Sequence, residues 1–458
     1  PWLLCLVALG FLLPTAWTAA PGTTAPRAIA GDDGGKDDGG KDDAGKDPLG
    51  DDDEPGDFFD SPTSFTPQQA AKAIARGVAW LEKNQLGDGS WGPIVGNHSY
   101  GGGNSQGQGY THPAGSTALA VYTLLKCKVK LKNPVVRKGF DFLRKRHEIP
   151  GGSYETSMML LAVCATANPY KTSRASRKRE QRLKLKGSYR RWAQDLHRSL
   201  LQKKAAQGWR YQVTGNSGST PGGDQDLSST QLAALALFAA NRLRIRTPDA
   251  VWEDILAFSL AQQDKDGPEV VTKDPLTHEE IRHRARGFAY IKGMENPDEG
   301  KATGGMTACG IANIMMARFV LTDGGRKREK WDKRPDAGLV QASIEDGLTW
   351  IAKNWSPYHN PRKKQMNVYH LYWLYAVERA MDLVGKQKIG SRLWYSEMGQ
   401  QLLNNQREDG SWNSSSTHEP RAVLDTCFAL LFLKRATSGQ IPFPSITGGT
   451  DEPPVDNR

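Results

Sequence analysis

A chain of 458 residues with 38% hydrophobic side chains and a formal net charge of +10 can hold two or three ordinary domains, or one large domain if a repeat sets the architecture. The charge is uneven: Arg27 to Asp60 holds 13 acidic and four basic residues, which leaves +19 on the rest. Of five cysteines, Cys127, Cys164, Cys309 and Cys427 follow Cys5 far apart and without a Cys-x-x-Cys pair, which speaks against a disulfide frame or a cysteine metal cluster, and these four read as buried free thiols.

In chain order, residues 1–22 open with an apolar run, Trp2 to Trp17, followed by Thr18, Ala19 and Ala20. It is too short to span a bilayer with ease and is expected to be a signal peptide, which predicts a secreted, periplasmic or cell-envelope protein. Residues 23–65 hold the Gly/Asp/Lys run "GDDGGKDDGGKDDAGKDPLGDDDEPGD", whose few apolar side chains cannot offset backbone entropy, so a disordered acidic linker is expected. Residues 438–458 are expected to be a disordered tail. No later segment reads as long and apolar enough for a membrane span.

Between Thr66 and Arg435 two kinds of helix alternate. The first kind is amphipathic, as in Ala70, Ile74, Val78 and Leu81, and is predicted over 68–84, 134–146, 189–203, 248–263, 340–354 and 391–405. Thr66-Pro67, Asn133-Pro134 and Thr247-Pro248 each set a capping residue before a first-turn proline. The second kind is apolar all round: "STALAVYTLL", "TSMMLLAVCA", "STQLAALALFAA", "TACGIANIMMA", "VYHLYWLYAVERAM" and "DTCFALLFL". Helices with no polar face are buried on every side, so six amphipathic and six buried helices describe an outer ring around an inner one. Gly-aromatic elements join them: Gly89-Ser90-Trp91, Gly152-Ser153-Tyr154, Gly208-Trp209-Arg210-Tyr211, Gly287-Phe288-Ala289-Tyr290 and Gly410-Ser411-Trp412. Glycine ends a helix and the aromatic wedges between neighbouring pairs.

The elements "QLGDGSWG" and "QREDGSWN", set in this alternation, resemble the Gln-Trp repeats of the squalene cyclase and protein prenyltransferase superfamily. The resemblance implies an all-α, α/α-toroid fold over residues 66–437. With the leader and tether, the layout resembles exported prenyltransferase/squalene oxidase repeat proteins of planctomycete-type bacteria. A class II cyclase of this kind carries Asp-x-Asp-Asp-Thr at the start of an inner helix, the middle Asp protonating an alkene. In "GGDQDLSST", alignment through Thr230 puts that acid on Ser228; shifting the register keeps Asp224 and Asp226 but puts Leu227 on the fourth position. Asp226 also reads as the N-cap of the helix that follows. A prenyltransferase binds zinc through Asp-x-Cys and a His on the next inner helix. Asp425-x-Cys427 lies instead on the last inner helix, and the one before presents Asn367 and Tyr369 where the Asp and Cys belong; a rearranged set would be Asp425, Cys427 and His370.

With these motifs incomplete, the expected role is a ligand-binding or scaffold protein without a cofactor, holding a small molecule, lipid or glycan in a central cavity near Asp226, Thr307, His370 and Asp425. Two enzyme readings stand beside it. One is an isoprenoid cyclase or transferase using Asp224, Asp226, Asp425 and Cys427. The other is a lyase or hydrolase for an acidic polysaccharide, with Trp209, Arg210 and Tyr211 of "GWRY" at the ligand and the last two as base and stabiliser. The insert 170–191, ten Lys or Arg against one Glu, is a candidate contact for an anionic polymer or envelope surface; without interleaved aromatics it does not predict nucleic-acid binding. A second insert, 264–305, brings His278 and His283, spaced five apart rather than the four that places two ligands on one helical face. The polar link 92–117 adds His98, Tyr100, Tyr110 and His112 without a reaction-specific spacing.

Overall fold

The computed structural model describes residues 65–92, 113–167, 185–210, 225–273, 277–293, 300–362, 369–414 and 422–435. The expected signal peptide, the linker up to residue 64 and the tail lie outside them, as do His98, Tyr100, Tyr110, His112, Asp224, Tyr211 and most of the basic insert. The described helices are α1 (Pro67–Lys83), α2 (Pro113–Lys126), α3 (Pro134–Arg146), α4 (Ser153–Ala165), α5 (Gly187–Gln202), α6 (Leu227–Arg242), α7 (Asp249–Ala261), α8 (Gly304–Leu321), α9 (Gly325–Asp332), α10 (Ala337–Lys353), α11 (His370–Val384), α12 (Trp394–Asn405) and α13 (Ala422–Leu433). The outer helices start and stop within three residues of their predicted positions.

The apolar helices close a ring. α2 packs on α4, α4 on α6, α6 on α8, α8 on α11, α11 on α13, and α13 returns to α2. Around it stand α3 on α2, α5 on α4, α7 and α10 on α8, and α1 and α12 on α13, giving the expected α/α toroid. Contrary to the sequence reading, α8 is long and apolar enough to cross a membrane, but it lies almost wholly buried inside the ring.

Caps fix several helix starts. Thr66 and Gln69 form a reciprocal capping box before α1, Asn133 accepts from Val135 N–H at 2.8 Å, and Thr303 caps α8. Thr247 departs from the prediction: α7 begins one residue later, and the Thr247 hydroxyl lies 2.9 Å from His197 Nε2 instead of capping. The insert 264–305 contains structure that was not read from the sequence. Glu269–Lys273 (β1) and Glu280–Arg284 (β2) pair antiparallel with Val270 opposite His283, and β2 lies on α10, where Asp346 accepts from Arg284 N–H (2.9 Å) and Arg286 Nε (2.7 Å).

The joints repeat one device. At the first, Trp91 donates its indole N–H to Leu81 O (2.8 Å) and its backbone N–H to Thr117 Oγ1 (3.2 Å). Trp209 does the same with Leu200 O (2.8 Å) and Thr230 Oγ1 (3.0 Å), and Trp412 with Leu402 O (2.9 Å) and Thr426 Oγ1 (3.0 Å). Phe288 N–H reaches Thr307 Oγ1 at 3.0 Å. All four rings are buried; each tryptophan ties the end of an outer helix to the start of an inner one, and Phe288 is held to the start of α8. The acidic turn before two of these tryptophans has a physical cause: Asp88 and Asp409 accept from the backbone N–H and hydroxyl of Ser90 and Ser411, while Gly89 and Gly410 take φ +94°. Gln85 and Gln406 then reach out of the joint to the next outer helix, at Val135 O and Ala73 O, both 2.9 Å away. Gly152-Ser153-Tyr154 does not belong to this set, because Ser153 and Tyr154 form the first turn of α4 itself.

Candidate functional site

On the inner side of the ring, α6 and α11 flank α8, and Ser228 Oγ of α6 lies 3.2 Å from Tyr372 OH of α11. Cys309 Sγ of α8 lies 3.2 Å from the same hydroxyl. From α13, Phe428 stacks on Tyr375 at 5.6 Å and meets Tyr372 edge-on at 5.7 Å. Arg379, fully buried, holds its guanidinium 4.0 Å from the Tyr375 ring centre and 5.6 Å from that of Tyr372. Cation–π attraction offsets part of the cost of burying that charge. Burial raises the Tyr372 phenol well above its ordinary range, so it is un-ionised and free to donate.

The sequence-predicted acids have structural partners. Asp226 is fully buried at the N-cap of α6, where its Oδ1 accepts from Ser229 N–H (2.7 Å) and its Oδ2 from the Ser229 hydroxyl (2.8 Å). Burial lifts its carboxyl to about 6 against the opposing pull of these bonds and of Arg210. Asp425 Oδ2 accepts from Ser414 N–H (2.7 Å) and Oγ (2.8 Å). Thr307 is fully buried and donates to Thr303 O at 2.8 Å in addition to serving Phe288. Trp209 is a joint wedge, and the carbonyl of Arg210 accepts from Ser153 Oγ.

The rearranged zinc set does not fit. Cys427 is fully buried with its thiol pushed up to about 12 by burial, His370 Nε2 bonds to Pro357 O at 2.8 Å, and Asp425 is held by Ser414. Among the described residues, no three His, Cys, Asp or Glu side chains gather in an arrangement that could hold a metal ion.

Of Asp226, Thr307, His370 and Asp425, His370 alone lines the described cleft, which lies beside the joint of α12 and not on the ring axis. The cleft holds about 320 Å³, and its walls include Tyr358, His370, Gln401, Asn405, Arg407 and Asn413. One lip is the turn 356–359, where Ser356 Oγ accepts from the N–H groups of Tyr358 (3.2 Å) and His359 (3.3 Å). Two α11 side chains pin that turn: Trp373 Nε1 donates to Ser356 O (3.0 Å) and His370 to Pro357 O. Since a carbonyl only accepts, Nε2 carries the proton; desolvation lowers His370 to about 4, so the imidazole is neutral and Nδ1 is its acceptor. The other lip is 412–414, held by Asp425 through Ser414. Sequence reasoning missed Tyr358, Arg407 and Asn413. The signal was a difference between repeat copies, since Arg407 and Asn413 stand where Leu86 and Gly92 stand in the first.

The squalene-hopene cyclase C-terminal domain family matches residues 61–160, which supports the resemblance to a squalene cyclase-like superfamily. Similar solved structures include the type II terpene cyclase MstE from Scytonema (13% identity, 81% of this chain and 99% of that one, TM-score 0.46). An unsaturated glucuronyl hydrolase specific for heparin shares 12% identity over 81% of this chain and 97% of its own, with TM-score 0.48. An α-1,6-mannanase from Salegentibacter shares 8% over 80% and 98%, with TM-score 0.45. At these identities the likeness concerns the fold, and what those proteins act on is said of them alone. No curated protein matches the chain.

Proposed function

We propose that this chain is an exported ligand-binding or scaffold protein of the cell envelope, built on a squalene cyclase-like toroid. The observation that carries the reading is that the groups an acid- or thiolate-based reaction would call on are engaged in architecture. Asp226 caps α6 with both oxygens, Asp425 holds the 412–414 turn, and Cys427 is sealed in the ring. The apolar leader and acidic tether support export, and the basic insert 170–191 is its proposed contact with an anionic polymer or envelope surface.

One observation favours a second reading, an alkene-protonating cyclase. A carboxyl lifted to about 6 in full burial keeps its proton to a higher pH than an ordinary carboxylate, and Asp226 lies on the cyclase-like motif in one register.

Native mass spectrometry with elemental analysis on the full chain separates the readings, run beside an assay with a geranylgeranyl-type substrate. The binding reading expects a non-covalent lipid or glycan mass and no turnover. Stoichiometric zinc lost in Cys427→Ser, or cyclisation abolished in Asp226→Asn without loss of stability, would overturn it.

A further inference from the structure

The cleft beside α12 has the chemistry of a carbohydrate site, and we propose that it binds an acidic glycan, with the Tyr358 ring stacking on a sugar face and Arg407 pairing with a uronate carboxylate. The inference rests on the binding reading above and names its ligand class. Four observations carry it. Tyr358 is 65% exposed, too open for a core aromatic, and it projects from a turn whose backbone is anchored by Ser356 and by two donors from α11. An aromatic side chain with few rotatable bonds on an anchored turn costs little entropy on binding and presents a face to the C–H side of a sugar.

The polar lining is of the kind that recognises hydroxyl pairs. Gln401, Asn405 and Asn413 each carry a carbonyl and an amide NH₂, the Asn405 amide donating also to Gln401 O at 2.8 Å, and with the neutral His370 the lining holds both donors and acceptors for a ligand of alternating hydroxyls. Charge decides the class of sugar. Arg407 is the cationic member of the lining and no Asp or Glu belongs to it among the described residues; the neighbouring Asp409, which feels the Arg407 charge, lies outside the lining and is engaged by Ser411 and Trp80. Two of the three residue differences between the joint copies fall here as well: Leu86 and Gly92 of the first joint give way to Arg407 and Asn413 in the last. The third, Gly87 to Glu408, lies outside the lining, while the Asp, Gly, Ser and Trp that build the joint are unchanged. Architecture is kept and the surface beside it is altered, the pattern expected of a site placed on a repeat. His370 and Asp425, read from the sequence as members of a rearranged zinc set, then act as positioning residues for its two lips.

Titration calorimetry of the full chain with an oligogalacturonate and a neutral cello-oligosaccharide of equal length, at about 0.15 M salt to suppress unspecific attraction to a basic surface, tests the site. The uronate oligomer is expected to bind more tightly than the neutral one. Tyr358→Ala is expected to weaken both by about tenfold, and Arg407→Gln to weaken the uronate alone by about tenfold and remove the preference. Arg198→Gln, an exposed surface change on α5, is expected to bind as the unaltered chain. Absence of heat with either glycan at millimolar concentration, equal affinity for the two, or unchanged binding in Tyr358→Ala and Arg407→Gln overturns the proposal. If Asp226→Asn abolishes isoprenoid turnover while the uronate still binds, the binding reading of the whole chain falls and the glycan site stands. A different ligand on the axis with no glycan binding sinks the cleft alone.

Discussion

The ring is closed by the last joint, and Gly410 is the residue whose replacement tests that closure most directly. Its φ of +94° lies where a side chain is disfavoured, and a Cβ there would stand 2.6 Å from the Arg76 carbonyl oxygen and 2.9 Å from its carbon, on the backbone of α1. That backbone cannot retreat freely: Arg76 donates to Glu408 O at 3.0 Å, Trp80 Nε1 to Asp409 Oδ2 at 3.0 Å, and Gln406 to Ala73 O at 2.9 Å. Backbone strain of about 1–3 kcal/mol plus a contact relieved by shifting α1, on the order of 1–2 kcal/mol, puts Gly410→Ala at about 2–5 kcal/mol of destabilisation. With unfolding entropy near 2.1 cal/mol/K per residue, a cooperative unit of roughly 370 residues should melt about 3–6 °C lower. Differential scanning calorimetry of the full chain measures it, with Gly87→Ala as the control, since a Cβ at Gly87 meets nothing within 4 Å. Gly89→Ala, at the same φ and still closer to the Lys138 carbonyl, should match Gly410→Ala. If Gly410→Ala melts together with Gly87→Ala, the close approach of joint to outer helix is not what holds the ring shut.

Asp226 makes folding pH-dependent in a direction opposite to an ordinary capping carboxylate. Its folded value is raised from 3.8 to about 6, so its stabilising contribution is present below pH 4 and lost as pH rises through 6. The ionised group then costs about 2–3 kcal/mol. Asp226→Asn keeps an acceptor for Ser229 N–H and removes the titration. Urea midpoints of the two proteins should therefore converge in acid, with the variant more stable at neutral pH; parallel curves across that window would disprove the assignment. Asp226→Ala loses the cap, about 1 kcal/mol or more, at every pH. The Cys427 thiol, pushed up to about 12 and sealed between helices, should be alkylated only on unfolding; rapid labelling of its peptide in the native chain would reveal an accessible thiolate and restore the transfer reading.

The alternation of helices was readable because two physical patterns differ: period-3.6 amphipathicity marks a helix with one wet face, and an all-round apolar run marks one with none. Joints were readable where Gly-Ser-Trp recurs and misread at Gly152-Ser153-Tyr154, where the same residue types open an inner helix and send Tyr154 into its first turn. Thr247 shows the limit of a capping signal, since a buried histidine within 2.9 Å took the hydroxyl. The hairpin escaped notice because its strands, "EVVTK" and "EIRHR", lie almost wholly at the surface and show no apolar alternation.

The site followed a different logic. Residue types that suggest chemistry, an Asp at a helix start, an Asp-x-Cys pair, a His on an inner helix, also serve as caps and turn anchors, and in this chain geometry assigns them there. Asp425 and His370 are 55 positions apart and share no motif, yet each holds one lip of the same cleft, through Ser414 and Pro357. No local pattern joins them, because their relation exists only once the last joint has folded against α11. What the sequence did carry was the contrast between two copies of one joint. Identity at Asp, Gly, Ser and Trp marks what the ring requires, and substitution at Leu86 and Gly92 by Arg407 and Asn413 marks where the ring leaves the surface free to specialise.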